Sequence, residues 1–596
     1  MAQPPGRPAR ENALESRLCL PFAPDLCYAA AQIQTHSHMS SSENTKYENR
    51  FWSRDILLVT LLAALLFGIM LGTRELGAPD EARYSEIPRE MVATGHYISP
   101  RLDGVLYFEK PPLFYWLQTF SIRLFGLGQW SLRFWTAAFA VLGCVAVYVV
   151  GRRLYSRRTG WLSAMVLGTS FLYFGMGHVI TLDMAVSVLS SLSLFAFILA
   201  NREPMGPRRR WGMYAAFIFA ALATLTKGLI GIVFPMMAIG LWIIAIWDWA
   251  QLKRMYLPTG FALFFLIAAP WHILVQLKHP TFLHYYFIRQ HFERYLTDVA
   301  HRYQPFWYFV PILLLGILPW SAFFAQAIRF NFHFPWRERA RHADTLLLAI
   351  WVASIFVFFS ASDSKLVPYI LPVFPPLAIL IGRYLDDRWE KPLEPTNRRV
   401  FFAIAPVGLL LAAAVAFVVP ATRPSLEPHT LKIAMEFLGA ALALCAIATT
   451  VAGLKRGFAA GVVVLALGFS VFLLGINASA PYLDIRTMKA LALTLRPKLT
   501  RDAIVACYGG YYQDLPFYLR RRVEVVDYKG ELGYGTTLEK TPWIMKGARF
   551  WRQWESPRTV YMATSRNSYR QLKRRGIHMY MVAQNRFNVI VCNKAP

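Results

Sequence analysis

The sequence predicts a polytopic α-helical membrane protein of about 13 transmembrane helices followed by a C-terminal α/β domain. Three observations predict it. The 596 residues are 56% hydrophobic and only 16% charged, with a mean hydropathy of +0.35, far more apolar than a soluble globular chain. Apolar runs of about 20 residues, the length that crosses a bilayer, recur as far as residue 476. Beyond that point the pattern shifts to short apolar strands alternating with polar helices.

Residues 1–50 are polar, rich in Pro, Ser and Arg, and contain no apolar run, so they read as a disordered leader and not a secretory signal; Met39 is a second candidate start. The transmembrane domain is assigned to 51–476, with spans near 56–72, 132–150, 160–178, 183–200, 211–226, 229–247, 256–275, 306–328, 344–361, 365–385, 400–420, 431–453 and 458–476. Alternate loops are basic: "GRRLYSRRTG", "NREPMGPRRR", "DWAQLKR", "RFNFHFPWRERARH", "RYLDDRWEKPLEPTNRR" and "LKRG". The positive-inside rule places these and the N-terminus in the cytoplasm, and an odd span count puts the tail on the outer face. The net charge of +28 is therefore assigned to cytoplasmic loops and anionic headgroups, not to nucleic acid.

In the tail, 477–596, "DAIVACYGG", "VEVVDY" and "RTVYMATS" read as strands, "YQDLPFYLRR" and "NSYRQLKRRG" as helices, and "MYMVAQNRFNVIVCN" as a hairpin. Its glycine turns lack the spacing of a nucleotide fingerprint. Six cysteines show no metal-binding spacing, although Cys507 and Cys592 are able to pair in an extracytoplasmic domain.

Polar chemistry gathers in the outer loops. "GAPDEARYSEIPREM" packs Asp80, Glu81, Arg83, Glu86, Arg89 and Glu90 into eleven residues, with Tyr84, Ile87, Met91 and Val92 at helical spacing, which predicts an amphipathic helix at the membrane interface. A purely structural account makes Asp80 the N-cap, Glu81 a favourable charge for the helix dipole, and Arg83 a partner to a neighbour. Downstream, "YFEKPPLFYW" sets Glu109 and Lys110 before a Pro-Pro that opens a second helix, where a lysine and free N–H groups suit a phosphate. The same stretch carries Tyr107, Phe108, Tyr115 and Trp116. The loop after the seventh span supplies His291 and His301, which together with Glu109 form a donor set suited to zinc or another divalent metal. Asp183, Lys227 and Lys365 stand at outer helix ends, where they either snorkel or line a shared cavity.

The combination "PDEARY", "YFEKPPLFYW", "RQHFERY" and "SKLVPYILPVFPPLA" resembles the bacterial lipid-linked aminoarabinose transferases, C-type glycosyltransferases (GT-C) related to the protein O-mannosyltransferases. The resemblance implies thirteen membrane helices with a periplasmic C-terminal domain. It also implies transfer of 4-amino-4-deoxy-L-arabinose from undecaprenyl phosphate to lipid A at the periplasmic face of the inner membrane, by a monomer, with resistance to polymyxin and other cationic antimicrobial peptides as the consequence. On this pattern Asp80, Glu109 and Lys110 are catalytic, and Arg83, Tyr84 and Tyr107 lie near the donor phosphate. Asp183, Lys227, Lys365 and Tyr369 line the cavity, and His291 joins Glu109 at zinc. Because a lipid A phosphate is already ionised, Asp80 is expected to orient the acceptor or to engage the sugar's ammonium, and not to act as a base. Two other readings fit less of the sequence: a transferase for another polyprenyl-phosphate sugar, such as a protein O-mannosyltransferase, and a secondary transporter. Transporters usually place ionisable residues on broken helices near the bilayer midplane; here His272 is among the few.

Overall fold

The computed structural model describes residues 51–293, 295, 303–422, 428–482 and 487–595. Contacts separate Met1–Leu58 from Val59–Pro596; of the first unit, the described part is the opening of helix Trp52–Gly68.

Helices coincide with all thirteen expected spans, but they are not equal. Among the described residues eight are long and apolar enough to cross a membrane: Gln129–Leu154, Leu182–Arg202, Leu257–Lys278, Ala343–Ala361, Val367–Arg388, Pro395–Thr422, Pro428–Arg456 and Phe458–Tyr482. The eighth expected span is bent by 105° between Phe306–Gly316 and Trp320–Asn331, around Pro319, and becomes a ninth crossing if taken as one. Arg157–Thr169 and Phe171–Met176 together fill the third expected span, broken at Ser170. Pro207–Lys227 opens on three arginines, and Ile230–Ile246 has 17 residues.

The loop after the first expected span is folded into the protein. Helix Asp80–Thr94 ends where Gly95 takes φ 74° and returns its N–H to Met91, a left-handed cap that glycine adopts without strain. Nine of its fifteen residues are buried, among them Glu81, Glu86 and Glu90. The expected membrane-surface helix is thus a covered one, because its charged face has partners on two sides. A two-strand hairpin follows, β1 (Arg101–Leu102) and β2 (Val105–Leu106). Leu106 and Phe108 pack with Leu225, Trp271, Val275, Phe282 and Tyr286, seating Tyr107 on the bundle. Helix Leu113–Phe125 starts directly after Pro111-Pro112, as expected.

The C-terminal domain carries β3 (Ile504–Tyr508), β4 (Glu524–Val526), β5 (Ile544–Met545), β6 (Val560–Ser565), β7 (Tyr580–Gln584) and β8 (Asn588–Cys592) in the order β5-β4-β3-β6-β8-β7. The first four pair in parallel and β6-β8-β7 antiparallel, so the expected strands and terminal hairpin are present and β5 is an addition. Cys507 and Cys592 are buried free thiols on strands separated by β6. They do not pair.

This domain docks on the β1–β2 hairpin of the same loop. Asp103 accepts from the Val523 N–H at 2.9 Å while its carbonyl accepts from Trp543 Nε1 at 3.0 Å. Arg101 forks onto Glu539 at 2.6 and 3.0 Å, and the rings of Tyr285 and Tyr534 stack at 3.5 Å. Gly535 lies so close that a Cβ there would stand 2.1 Å from the Leu106 carbonyl oxygen, which excludes any side chain.

Candidate active site

Glu81 fixes the helix on which half the site is built. Its carboxylate is 2% exposed and receives Arg133 Nε at 3.0 Å, Arg74 Nη2 at 2.8 Å, and the N–H groups of Gly77 and Ile180 at 2.9 and 3.0 Å. Burial alone would raise its pKa, but the two guanidiniums and the N–H donors hold it below the ordinary value. Arg133, 1% exposed, spends its other donors on the carbonyls of Leu71, Arg74 and Glu75. Sequence reading treated Glu81 as a dipole charge; its partner Arg133 is 52 residues away and left no local signal.

Asp80 is the first residue of the helix, not its cap; Pro79 holds the cap position without a side-chain bond. The Asp80 carboxylate is 49% exposed and stands 3.4 Å from Arg83 Nη1. The other arm of Arg83 pairs with Glu531, which reaches in from the C-terminal domain. Arg83 lies 5.8 Å from the centroid of the Tyr84 ring, which is itself 6.2 Å from that of Tyr115. The hydroxyls of Tyr107 and Tyr115 and Nε of Arg83 are buried without a hydrogen-bond partner among the described residues. Burial, reinforced by Glu109, raises the pKa of Tyr84, Tyr107 and Tyr115, so all three are neutral hydrogen-bond donors at physiological pH. Glu109, half-buried, acts electrostatically on this group; Lys110, also half-buried, follows it in the chain.

A second cluster joins Asp183, at the start of helix Leu182–Arg202, to Lys227, at the end of Pro207–Lys227. The Lys227 ammonium also lies 5.0 Å from the centroid of Tyr369. Tyr84 feels the charges of Asp80, Glu109 and Asp183, which couples the two clusters electrostatically. The Lys365 ammonium, 4% exposed, donates to the carbonyls of Gln304, at 2.8 Å, and of Ser362. His301 and the side chain of His291 lie outside the described residues, and among the described residues no group of three or more His, Cys, Asp and Glu could hold a metal ion.

The family then follows from comparison. Residues 109–274 match the model for dolichyl-phosphate-mannose-protein mannosyltransferases, and residues 491–593 match the aminoarabinose transferase C-terminal domain. The undecaprenyl phosphate-α-4-amino-4-deoxy-L-arabinose arabinosyl transferase of Erwinia tasmaniensis is 31% identical over 500 residues, 81% of this chain and 88% of that one. The chain belongs to this arabinosyl transferase family. A namesake from Aeromonas salmonicida is 34% identical over 359 residues, 60% of this chain and 64% of its own. The crystal structure of ArnT from Cupriavidus metallidurans bound to undecaprenyl phosphate superimposes with a TM-score of 0.78 at 30% identity, covering 91% of this chain and 99% of that one. The protein is therefore an integral membrane glycosyltransferase of the GT-C type, and family membership sets the transporter alternative aside.

Sequence reading missed Glu531, whose only signal is an acidic residue beside the "GYG" turn, 448 positions from Arg83 along the chain. It also missed the carboxyl group formed by Glu86, Glu90 and Asp103, all buried. Glu86 is chelated by Arg89 at 2.6 Å through both oxygens, yet burial and its hydrogen bond to Glu90 push its pKa up to about 8. A carboxyl with a raised folded pKa contributes stability in full below the unfolded value and loses it as pH rises through the folded one. Thermal stability of the detergent-solubilised protein should accordingly fall more steeply between about pH 4.5 and 8 than that of Glu86→Gln, which keeps the protonated shape at every pH. Parallel curves for the two proteins would refute this assignment.

Proposed function

We propose that the chain transfers 4-amino-4-deoxy-L-arabinose from undecaprenyl phosphate to a phosphate of lipid A at the periplasmic face of the bacterial inner membrane. The observation that carries this reading is the polar group around Arg83: a buried guanidinium and neutral tyrosine hydroxyls with donors to spare, next to Lys110 in the sequence motif. Such donors complement a phosphate that gains charge as the sugar leaves.

The reaction is a single displacement. The bond between the sugar C1 and the undecaprenyl phosphate oxygen breaks while an acceptor phosphate oxygen bonds to C1, and undecaprenyl phosphate departs with the electron pair. Arg83, Lys110 and the hydroxyls of Tyr107 and Tyr115 bind the leaving phosphate. The acceptor phosphate is ionised and needs no base, so Asp80, half-exposed at the rim, orients the incoming lipid. Lys227, held by Asp183 beside Tyr369, offers a second cation for an anionic substrate group. The inner-membrane location with a cytoplasmic N-terminus, the lipid A acceptor and action as a monomer belong to the same proposal, as does polymyxin resistance, since aminoarabinose adds positive charge to lipid A.

Zinc is proposed on donor chemistry: Glu109, His291 and His301 supply one carboxylate and two imidazoles, a set that holds this ion, and bound there it would add positive charge beside the leaving phosphate. The metal content of purified protein tests it. About one zinc per chain, lost in Glu109→Ala, is expected, and a metal-free active protein would end the idea.

Mass spectrometry of lipid A from a transferase-deficient bacterium tests the function. Expression of the intact chain should add aminoarabinose, and Asp80→Ala should reduce it by at least about 100-fold, the scale of losing one transition-state or positioning contact. Unmodified lipid A despite membrane expression and donor supply would refute the substrate pair.

A further inference from the structure

The carboxylate of Glu531 stands in the catalytic cluster although it belongs to the C-terminal domain. It lies on the turn Gly530–Leu532, is 9% exposed, pairs with Arg83 through one oxygen and accepts from Gln513 Nε2 at 2.9 Å through the other. Gln513 is itself buried at 7% exposure, so the carboxylate is held from behind by its own domain and from the front by the bundle. Glu109 and Asp80 both act on it electrostatically, in a site that must also accept a phosphate.

Glu531, 9% exposed, loses its cation whenever an anionic leaving group takes up Arg83, which is unfavourable unless a further positive charge enters with the substrate. On the function proposed above, the transferred sugar brings one: the ammonium at its C4. We propose that Glu531 is the specificity-determining residue that reads this ammonium. When the donor phosphate takes up the guanidinium of Arg83, the carboxylate that Arg83 held is released to accept the sugar's N–H groups, so that phosphate and ammonium are recognised by the two halves of one former ion pair. A neutral sugar leaves Glu531 buried without a cation, and that penalty is the source of the discrimination.

Placement in the chain agrees with this role. The segment matching the mannosyltransferase model, 109–274, ends far before Glu531, whereas the segment matching the aminoarabinose transferase C-terminal domain, 491–593, contains it. Glu531 thus lies in a segment that the mannosyltransferase match does not include, although the match to arabinosyl transferases extends over the bundle as well.

The test uses the full chain in lipid nanodiscs with lipid A as acceptor and two donors, undecaprenyl-phosphoryl 4-amino-4-deoxyarabinose and its 4-hydroxy counterpart. The wild type should favour the amino donor in kcat/KM by at least about 10-fold, the scale for a site built around one buried polar contact. Glu531→Gln should lower kcat/KM for the amino donor at least about 10-fold further than for the hydroxy donor, collapsing the ratio, and Glu531→Asp should restore part of it. An equal loss on both donors would mean that Glu531 only positions Arg83, and an unchanged ratio would likewise overturn the assignment. A wild type that turns over both donors equally overturns the assignment but leaves the transferase reading standing. A wild type that uses neither donor defeats both.

Discussion

The burial of one carboxylate, Glu81, between two guanidiniums is the constraint on which the rest of the site depends. Its oxygens collect the loop 71–77, the start of helix Gln129–Leu154 and the Ile180 turn at a single point. Removing one partner of such a pair typically costs about 3–5 kcal/mol, because the remaining charge is left in a poorly solvated place. Asp80 and Arg83 share the first turn of the helix with Glu81, so the position of both is set by a residue whose own carboxylate is turned into the support. This division of labour explains the charge density of the segment: some of its ions build the support and others do the chemistry.

The C-terminal domain follows from the same logic. It grips the β1–β2 hairpin through Asp103, Arg101 and the close approach of Gly535, and in doing so brings Glu531 to Arg83. A domain that looks accessory in sequence thereby becomes one wall of the site. Burial raises the pKa of Glu86, Glu90 and Asp103, and the neutral form so favoured lets three carboxyls share a dry interface.

What could be read from sequence was what lies close together in it. The apolar runs, the Pro-Pro helix start, the strands and terminal hairpin of the tail and the pairing of Arg83 with a neighbour all rest on local periodicity or local charge. Asp80, Arg83, Tyr84, Tyr107 and Glu109 came together as expected because they share one loop. The Glu81–Arg133 pair, the entry of Glu531 and the use of Lys365 to bridge two carbonyls are contacts between distant segments, and no spacing rule reaches them. The bend at Pro319 and the two-residue strand β5 were missed for a simpler reason: an apolar run does not say whether it is straight, and two residues do not make a period.

The most direct test of the account is hydrogen–deuterium exchange across residues 71–94 in membranes, read together with undecaprenyl phosphate binding, for the wild type, Glu81→Gln and Asp80→Asn. The account predicts that Glu81→Gln, which touches no substrate, exchanges faster through the whole segment and binds the lipid phosphate more weakly, while Asp80→Asn exchanges like the wild type. Wild-type exchange and binding in Glu81→Gln would contradict it.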